Sequence, residues 1–185
     1  TPTILRHDGA ADQAAALVAW PIGAGLADMY EARKLDVLGA IFSDRMFDRY
    51  REQEGQSYSP SASSNWPWGL TSGGSFVVIA QPKPDGVDRF YAITDEIAAD
   101  LAAKPPTDDE LKRAVGPMIE MLNRASSGNT FWMMQMAGAT RDPRRQSALK
   151  SLMSDFRRIT PAELQGAAQR WLVPGKAMRA SALPK

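Results

Sequence analysis

Arg51 and Tyr58 stand seven positions apart across a glycine, in the run Arg51-Glu52-Gln53-Glu54-Gly55-Gln56-Ser57-Tyr58. A guanidinium carries a permanent cation and up to five donors, and a phenol adds a neutral donor. A neighbouring pair of this kind can hold a carbonyl or an oxyanion. The run leaves the end of an apolar-faced helix, where the helix dipole favours a cation, and enters a Ser-rich strand. On residue types alone, a capped helix end with a packed tyrosine accounts for the same residues.

Four other groups invite chemistry. His7 with Asp8 and Asp12 has the residue types of a small metal cluster, but strand pleating scatters such side chains, and a solvated turn between two strands is the expectation. Gly23-Ala24-Gly25 follows a strand as a dinucleotide loop would. Position 28 is Asp, however, not the third glycine, and its charge would repel a pyrophosphate; no G-x-x-x-x-G-K-[ST] run exists either. Met133, Met134 and Met136 beside Trp132 would suit an adaptable binding surface, yet their spacing suggests core. Arg141, Arg144, Arg145, Arg157 and Arg158 are expected on solvated faces, with an acidic partner as the lesser reading.

Composition narrows the function. The chain has 185 residues, 44% hydrophobic and 23% charged, which suits one domain spanning 1–185. Its 22 Lys and Arg against 21 Asp and Glu leave a net charge of +1, so broad attraction to nucleic acid is not expected. No apolar run approaches the ~20 residues of a membrane-spanning helix. With no Cys there is no thiolate ligand, nucleophile or disulfide. The single histidine is the most telling number, because a zinc hydrolase site takes two or three and a charge relay needs one set among partners. Alone, the chain reads as an incomplete enzyme, with no catalytic residue and no metal or cofactor of its own. It starts at Thr1 without a signal-peptide pattern, which suggests a piece of a longer polypeptide.

The elements that must position Arg51 and Tyr58 follow from periodicity. A β-prone run at 3–6 precedes a buried strand over 13–22. Leu35, Leu38, Phe42, Met46 and Tyr50 then mark a long helix over 27–54, with Gly55 as its stop. A hairpin follows, with strands over 57–66 and 75–81, and a helix over 87–104 is broken by Pro105-Pro106. Thr107 with Glu110, and Thr160 with Glu163, are capping boxes that open further helices. A kink is expected at Gly116-Pro117. Helical signal resumes over 130–141 and again around Leu149–Phe156, and a closing strand spans 176–183. Strands and helices cluster rather than alternate, which favours α+β. One core should join Ala16, Val18, Phe76 and Val78 to the Leu35–Leu38–Phe42 stripe.

Residues 50–59, TyrArgGluGlnGluGlyGlnSerTyrSer, resemble the L-R-E-x-x-G-L-A-Y-S signature of the pitrilysin/insulinase family of zinc metallopeptidases. The spacing from Arg to Gly to Tyr is the family's, and the preceding strand and helix, the hairpin and the Thr160–Leu172 helix agree in order. Tyr50 replaces Leu, Gln56-Ser57 replace Leu-Ala, and Pro60 follows. The resemblance implies the non-catalytic, zinc-free domain, with a mostly antiparallel five- to six-stranded sheet and helices on one face, like that of mitochondrial processing peptidase. It also implies that Arg51 and Tyr58 contact the substrate backbone, while zinc sits in another domain bearing H-x-x-E-H. Its partners would be other domains of the same peptidase and a peptide substrate, in a bacterial-type parent of the periplasm or cytoplasm. A structural homologue of the respiratory-complex core-subunit type is the alternative; an independent binding module is a third.

Overall fold

A computed structural model describes residues 2–54 and 60–185, and for 51–54 the backbone alone. The order is β1 (Thr3–His7), β2 (Ala15–Ile22), α1 (Met29–Glu54), β3 (Ser61–Asn65), β4 (Gly74–Ala80) and α2 (Val87–Ala103). Then come α3 (Asp108–Ser126), α4 (Asn129–Met136), α5 (Pro143–Arg158), α6 (Pro161–Trp171) and β5 (Met178–Pro184). The class is α+β.

The five strands form one sheet in the order β1-β5-β2-β4-β3. Three of the pairings are antiparallel, but β1 lies parallel to β5, with Thr3 opposite Ala180 and His7 opposite Pro184. The sheet is therefore mixed, and the expectation of a mostly antiparallel sheet is corrected. The reason is topological. A hairpin turn dictates antiparallel neighbours for β3 and β4, whereas nothing local tells the first strand that it will lie beside the last.

Alternation decides the core. Ala16, Val18 and Trp20 on β2 and Phe76, Val78 and Ala80 on β4 share one face, and all are buried. Leu35, Leu38, Phe42 and Met46 of α1 fall at helical spacing and are also buried in that cluster. Trp20, Phe42 and Phe76 meet there with ring centroids 5.8–6.4 Å apart, in tilted or edge-on pairs. Helix α2 adds Phe90, Ile93, Ile97 and Leu101, and α6 adds Leu164, Ala167 and Ala168.

Both capping boxes form. The Thr107 and Thr160 hydroxyls accept the Glu110 and Glu163 N–H groups, and each glutamate accepts its threonine's N–H in return. Pro117 lies within α3 without interrupting it. Its missing N–H falls where the helix is only shallowly packed: α3 buries only Ala114 fully.

Candidate functional site

The segment meant to carry the Arg–Tyr pair leaves the last turn of α1 and returns at β3. Tyr58 and the Gly55 helix stop lie outside the described residues, as does the Arg51 side chain. The elements that hold the two ends are described in full. Arg45 clasps Glu110 of α3, Nε to Oε1 at 2.7 Å and Nη2 to Oε2 at 3.2 Å. One turn later Arg49 reaches Glu96 of α2 at 2.9 Å and also bonds Asp100. Met46 and Tyr50 are buried between them. The C-terminal half of α1 is thus pinned to two neighbouring helices just before Arg51.

On the other side, Ser43 ties α1 to β3. Its hydroxyl oxygen accepts the Ala62 N–H at 2.8 Å, and its proton is shared between Gly39 O at 2.8 Å and Ala62 O at 3.2 Å. The Ser64 hydroxyl donates to Asp36. A Cβ on Gly39 would stand 3.3 Å from Ala62 O, so the helix lies close along the strand there. Gly39 and Ser43 stand four residues apart, so both face β3 from one side of α1.

Burial drives the Glu110 carboxyl upward, but the Arg45 guanidinium and the Thr107 N–H and hydroxyl outweigh it and hold the pKa at about 2. The carboxylate is therefore charged throughout the physiological range.

A second polar cluster, not anticipated from the sequence, lies at the opposite end of α1. Arg33 is buried and bonds Asp155 and the Ala148 carbonyl, with Ser151 3.0 Å away. Tyr30 donates to Glu163 at 2.9 Å, and the Arg158 guanidinium stacks 3.8 Å from the Tyr30 ring centre. Burial, then the Glu163 hydrogen bond, push the Tyr30 hydroxyl up to about 12. Trp171 Nε1 donates to the buried Glu31 at 2.8 Å. These groups join α1 to α5 and α6 beside an open depression of about 260 Å³. Arg33 stands four positions before the buried Val37 and eight before the buried Ile41, and that row is the signal that would have exposed the cluster.

The remaining candidates resolve into structural roles. Asp8 pairs with Lys185 at 3.0 Å, and both His7 ring nitrogens are engaged, by Gly9 N–H and the Gln13 carbonyl. Among the described residues no group of three His, Asp or Glu could hold a metal ion. Gly23 lies against Trp66, whose ring a Cβ would strike at 2.3 Å, and Trp66 Nε1 donates to Gly25 O at 2.8 Å. Gly25 takes φ +84° and donates its N–H to Pro67 O, so these glycines seat a tryptophan. Arg144 and Arg158 are paired with Asp142 and Asp155. The Met-rich run departs from expectation: Met133 and Met134 are 74% and 73% exposed and Trp132 and Met136 nearly half so, an apolar patch rather than core. Helix α4 is only two turns long and touches mainly α3 and α5, so its spacing has no core to face.

A model of the peptidase M16 inactive domain matches residues 1–117, more than half of the chain. The chain belongs to that family. No curated protein matches its sequence. Solved structures resemble it in fold. The peptidase M16 inactive domain from Pseudomonas fluorescens superposes with a TM-score of 0.80 at 18% identity, over 100% of this chain and 44% of that one. The periplasmic protease PqqL from Escherichia coli gives 0.80 at 14% identity, over 100% of this chain and 20% of that one. An inactive peptidase domain from Bordetella parapertussis gives 0.79 at 15% identity, over 97% of both chains. This M16 inactive domain thus spans less than half the length of the first two, and the non-catalytic assignment drawn from residues 50–59 stands. No described helix is long and apolar enough to cross a membrane.

Proposed function

We propose that residues 1–185 form the substrate-binding, zinc-free domain of an M16 metallopeptidase, the last domain of a longer chain. The family match to the inactive domain carries the reading. The architecture around the signature supports it. Ion pairs to α2 and α3 fix the helix end that bears Arg51, and Ser43 fixes the strand that follows Tyr58. A rigid scaffold around a short polar segment is what preorganised donors require.

In this reading Arg51 and Tyr58 bind the peptide backbone and orient the scissile carbonyl by donating hydrogen bonds to it. Zinc, held by another domain with an H-x-x-E-H motif, supplies the Lewis acid and the activated water. The exposed Met133–Met134 patch and Trp132 suit contact with that or another domain of the same protein, because flexible thioethers repack readily.

The test begins with the parent reading frame. Co-expression of this chain with the H-x-x-E-H domain should give a chelator-sensitive peptidase, and either part alone should give none. Rigorously purified chain that binds equimolar zinc or cleaves peptides by itself would overturn the proposal.

A further inference from the structure

We propose that His7 is a proton-operated clasp on the Gly9 amide in the turn after β1, closed when its ring is neutral and open when it is charged. The hydrogen bonds leave only one neutral form. Gly9 N–H points at Nδ1 from 3.0 Å, and an amide can only donate, so Nδ1 must present its lone pair. Nε2 lies 3.1 Å from the Gln13 carbonyl, which can only accept, so Nε2 must carry the proton. The ring therefore bridges the end of β1 to the residues entering β2.

Protonation places an N–H on Nδ1 as well. Two donors then face each other, and the Gly9 amide loses its partner. Imidazole is the side chain that makes this change between about pH 5 and 8. Glycine at position 9 is part of the device, since a Cβ there would stand 2.9 Å from Nδ1.

The clasp sits at the end of an edge strand. β1 hydrogen-bonds to β5 on one side only, and Ile4 and Leu5 are more than half exposed. His7 also lines an open depression of about 440 Å³ with Asp12, Gln13, Gln81 and Pro82. Of the charged groups nearby, Asp8 pairs with Lys185 and Arg6 donates to the Pro184 carbonyl at 2.8 Å. Asp12 shares the depression, and the Lys185 N–H donates to the His7 carbonyl at 3.1 Å. The end of β4 contributes only the uncharged Gln81 and Pro82.

The chain has a single histidine, so its imidazole resonances need no assignment by mutation. In the ¹⁵N-labelled chain, long-range ¹H–¹⁵N spectra should show Nδ1 unprotonated at neutral pH. On acidification, protection of the Gly9 amide against hydrogen exchange should fall roughly two- to tenfold, the factor one net hydrogen bond carries, with the midpoint of the ring titration. His7→Asn offers an acceptor near the Nδ1 position that does not titrate in this range, and should keep Gly9 protection flat. An Nδ1–H tautomer at neutral pH, a Gly9 midpoint apart from that of the ring, or an unchanged acid loss in His7→Asn would each overturn the clasp. The last result would hand the effect to Asp8 or Asp12.

Discussion

Ser43 of α1 accepts the Ala62 N–H at 2.8 Å and lies 3.2 Å from the Ala62 carbonyl, so one hydroxyl serves both backbone groups of an edge-strand residue. Edge strands otherwise offer such groups to other chains, and Pro60 just before β3 has no N–H to offer. Ser43→Ala should therefore cost about 1–3 kcal/mol, the penalty of leaving part-buried backbone groups unpaired. It should also raise self-association. Denaturant melts and size-exclusion profiles against concentration would check both, and an unchanged melt would mean that water replaces the hydroxyl at no cost.

Gly23 and Trp66 make a contact that tolerates no side chain, with three ring carbons within 2.9 Å of where a Cβ would stand. Trp66 in turn meets Trp171 edge-on, at 6.1 Å between ring centres. Gly23→Ala should expel the indole or shift the strand end, at about 1–3 kcal/mol as for other overpacked sites. Tryptophan fluorescence would report the displaced ring, and the thermal midpoint the cost.

The Arg33–Asp155 pair is buried on both sides, at 3% and 5% side-chain exposure. Removing one partner strands the other charge without water, which costs about 3–5 kcal/mol. Asp155→Ala should show that loss in chemical denaturation. Replacing both residues by apolar ones of similar volume should recover most of it, because desolvation then disappears with the charges. Equal losses in the single and double variants would assign the effect to packing alone.

Two titrations contribute to the pH dependence of stability. The Glu110 pKa lies at about 2 in the fold, below its ordinary 4.5, so the folded form binds protons less readily than the unfolded chain. Its contribution is present above about pH 4.5 and is lost as pH falls toward 2. Tyr30 behaves oppositely at the alkaline end. Its pKa of about 12 against an ordinary 10 keeps its contribution complete below pH 10 and lost between 10 and 12. Glu110→Gln should flatten the acid limb of a stability-against-pH curve, and Tyr30→Phe the alkaline limb.

Local chemistry made much of the fold readable. Thr107 with Glu110, and Thr160 with Glu163, announce helix starts because both partners of each capping box lie within four residues. The Leu35–Leu38–Phe42 stripe and the alternation at Ala16, Val18, Phe76 and Val78 announce one core for the same reason. Long-range relations left no such trace. The parallel pairing of Thr3 with Ala180 joins opposite ends of the chain, and Arg33 meets Asp155 across 122 positions. The exposed Met133 and Met134 carry a helical pattern that, in a two-turn helix, does not distinguish a buried face from a solvated one. For the candidate site, the Arg51–Gly55–Tyr58 spacing was legible, whereas Ser43 and Arg45, which hold its flanks, became visible only in three dimensions.

The decisive test of the proposed role concerns Arg51 and Tyr58 within the assembled peptidase. Donors aimed at a carbonyl gain strength as negative charge develops on its oxygen, and removing one commonly costs about 2.7–4 kcal/mol of transition-state stabilisation, or roughly 10²–10³ in rate. Tyr58→Phe keeps the ring and deletes only the hydroxyl, so turnover should fall by that factor while the melting temperature stays put. Arg51→Ala removes a permanent cation as well as several donors, so both substrate affinity and turnover should suffer; Arg51→Lys would restore charge without the planar fork and should recover binding more than rate. Steady-state kinetics with kcat and KM resolved, alongside thermal melts of each variant, separate these outcomes. Unchanged kinetics for both substitutions in a folded, zinc-loaded parent would leave the domain a structural homologue without a part in peptide cleavage.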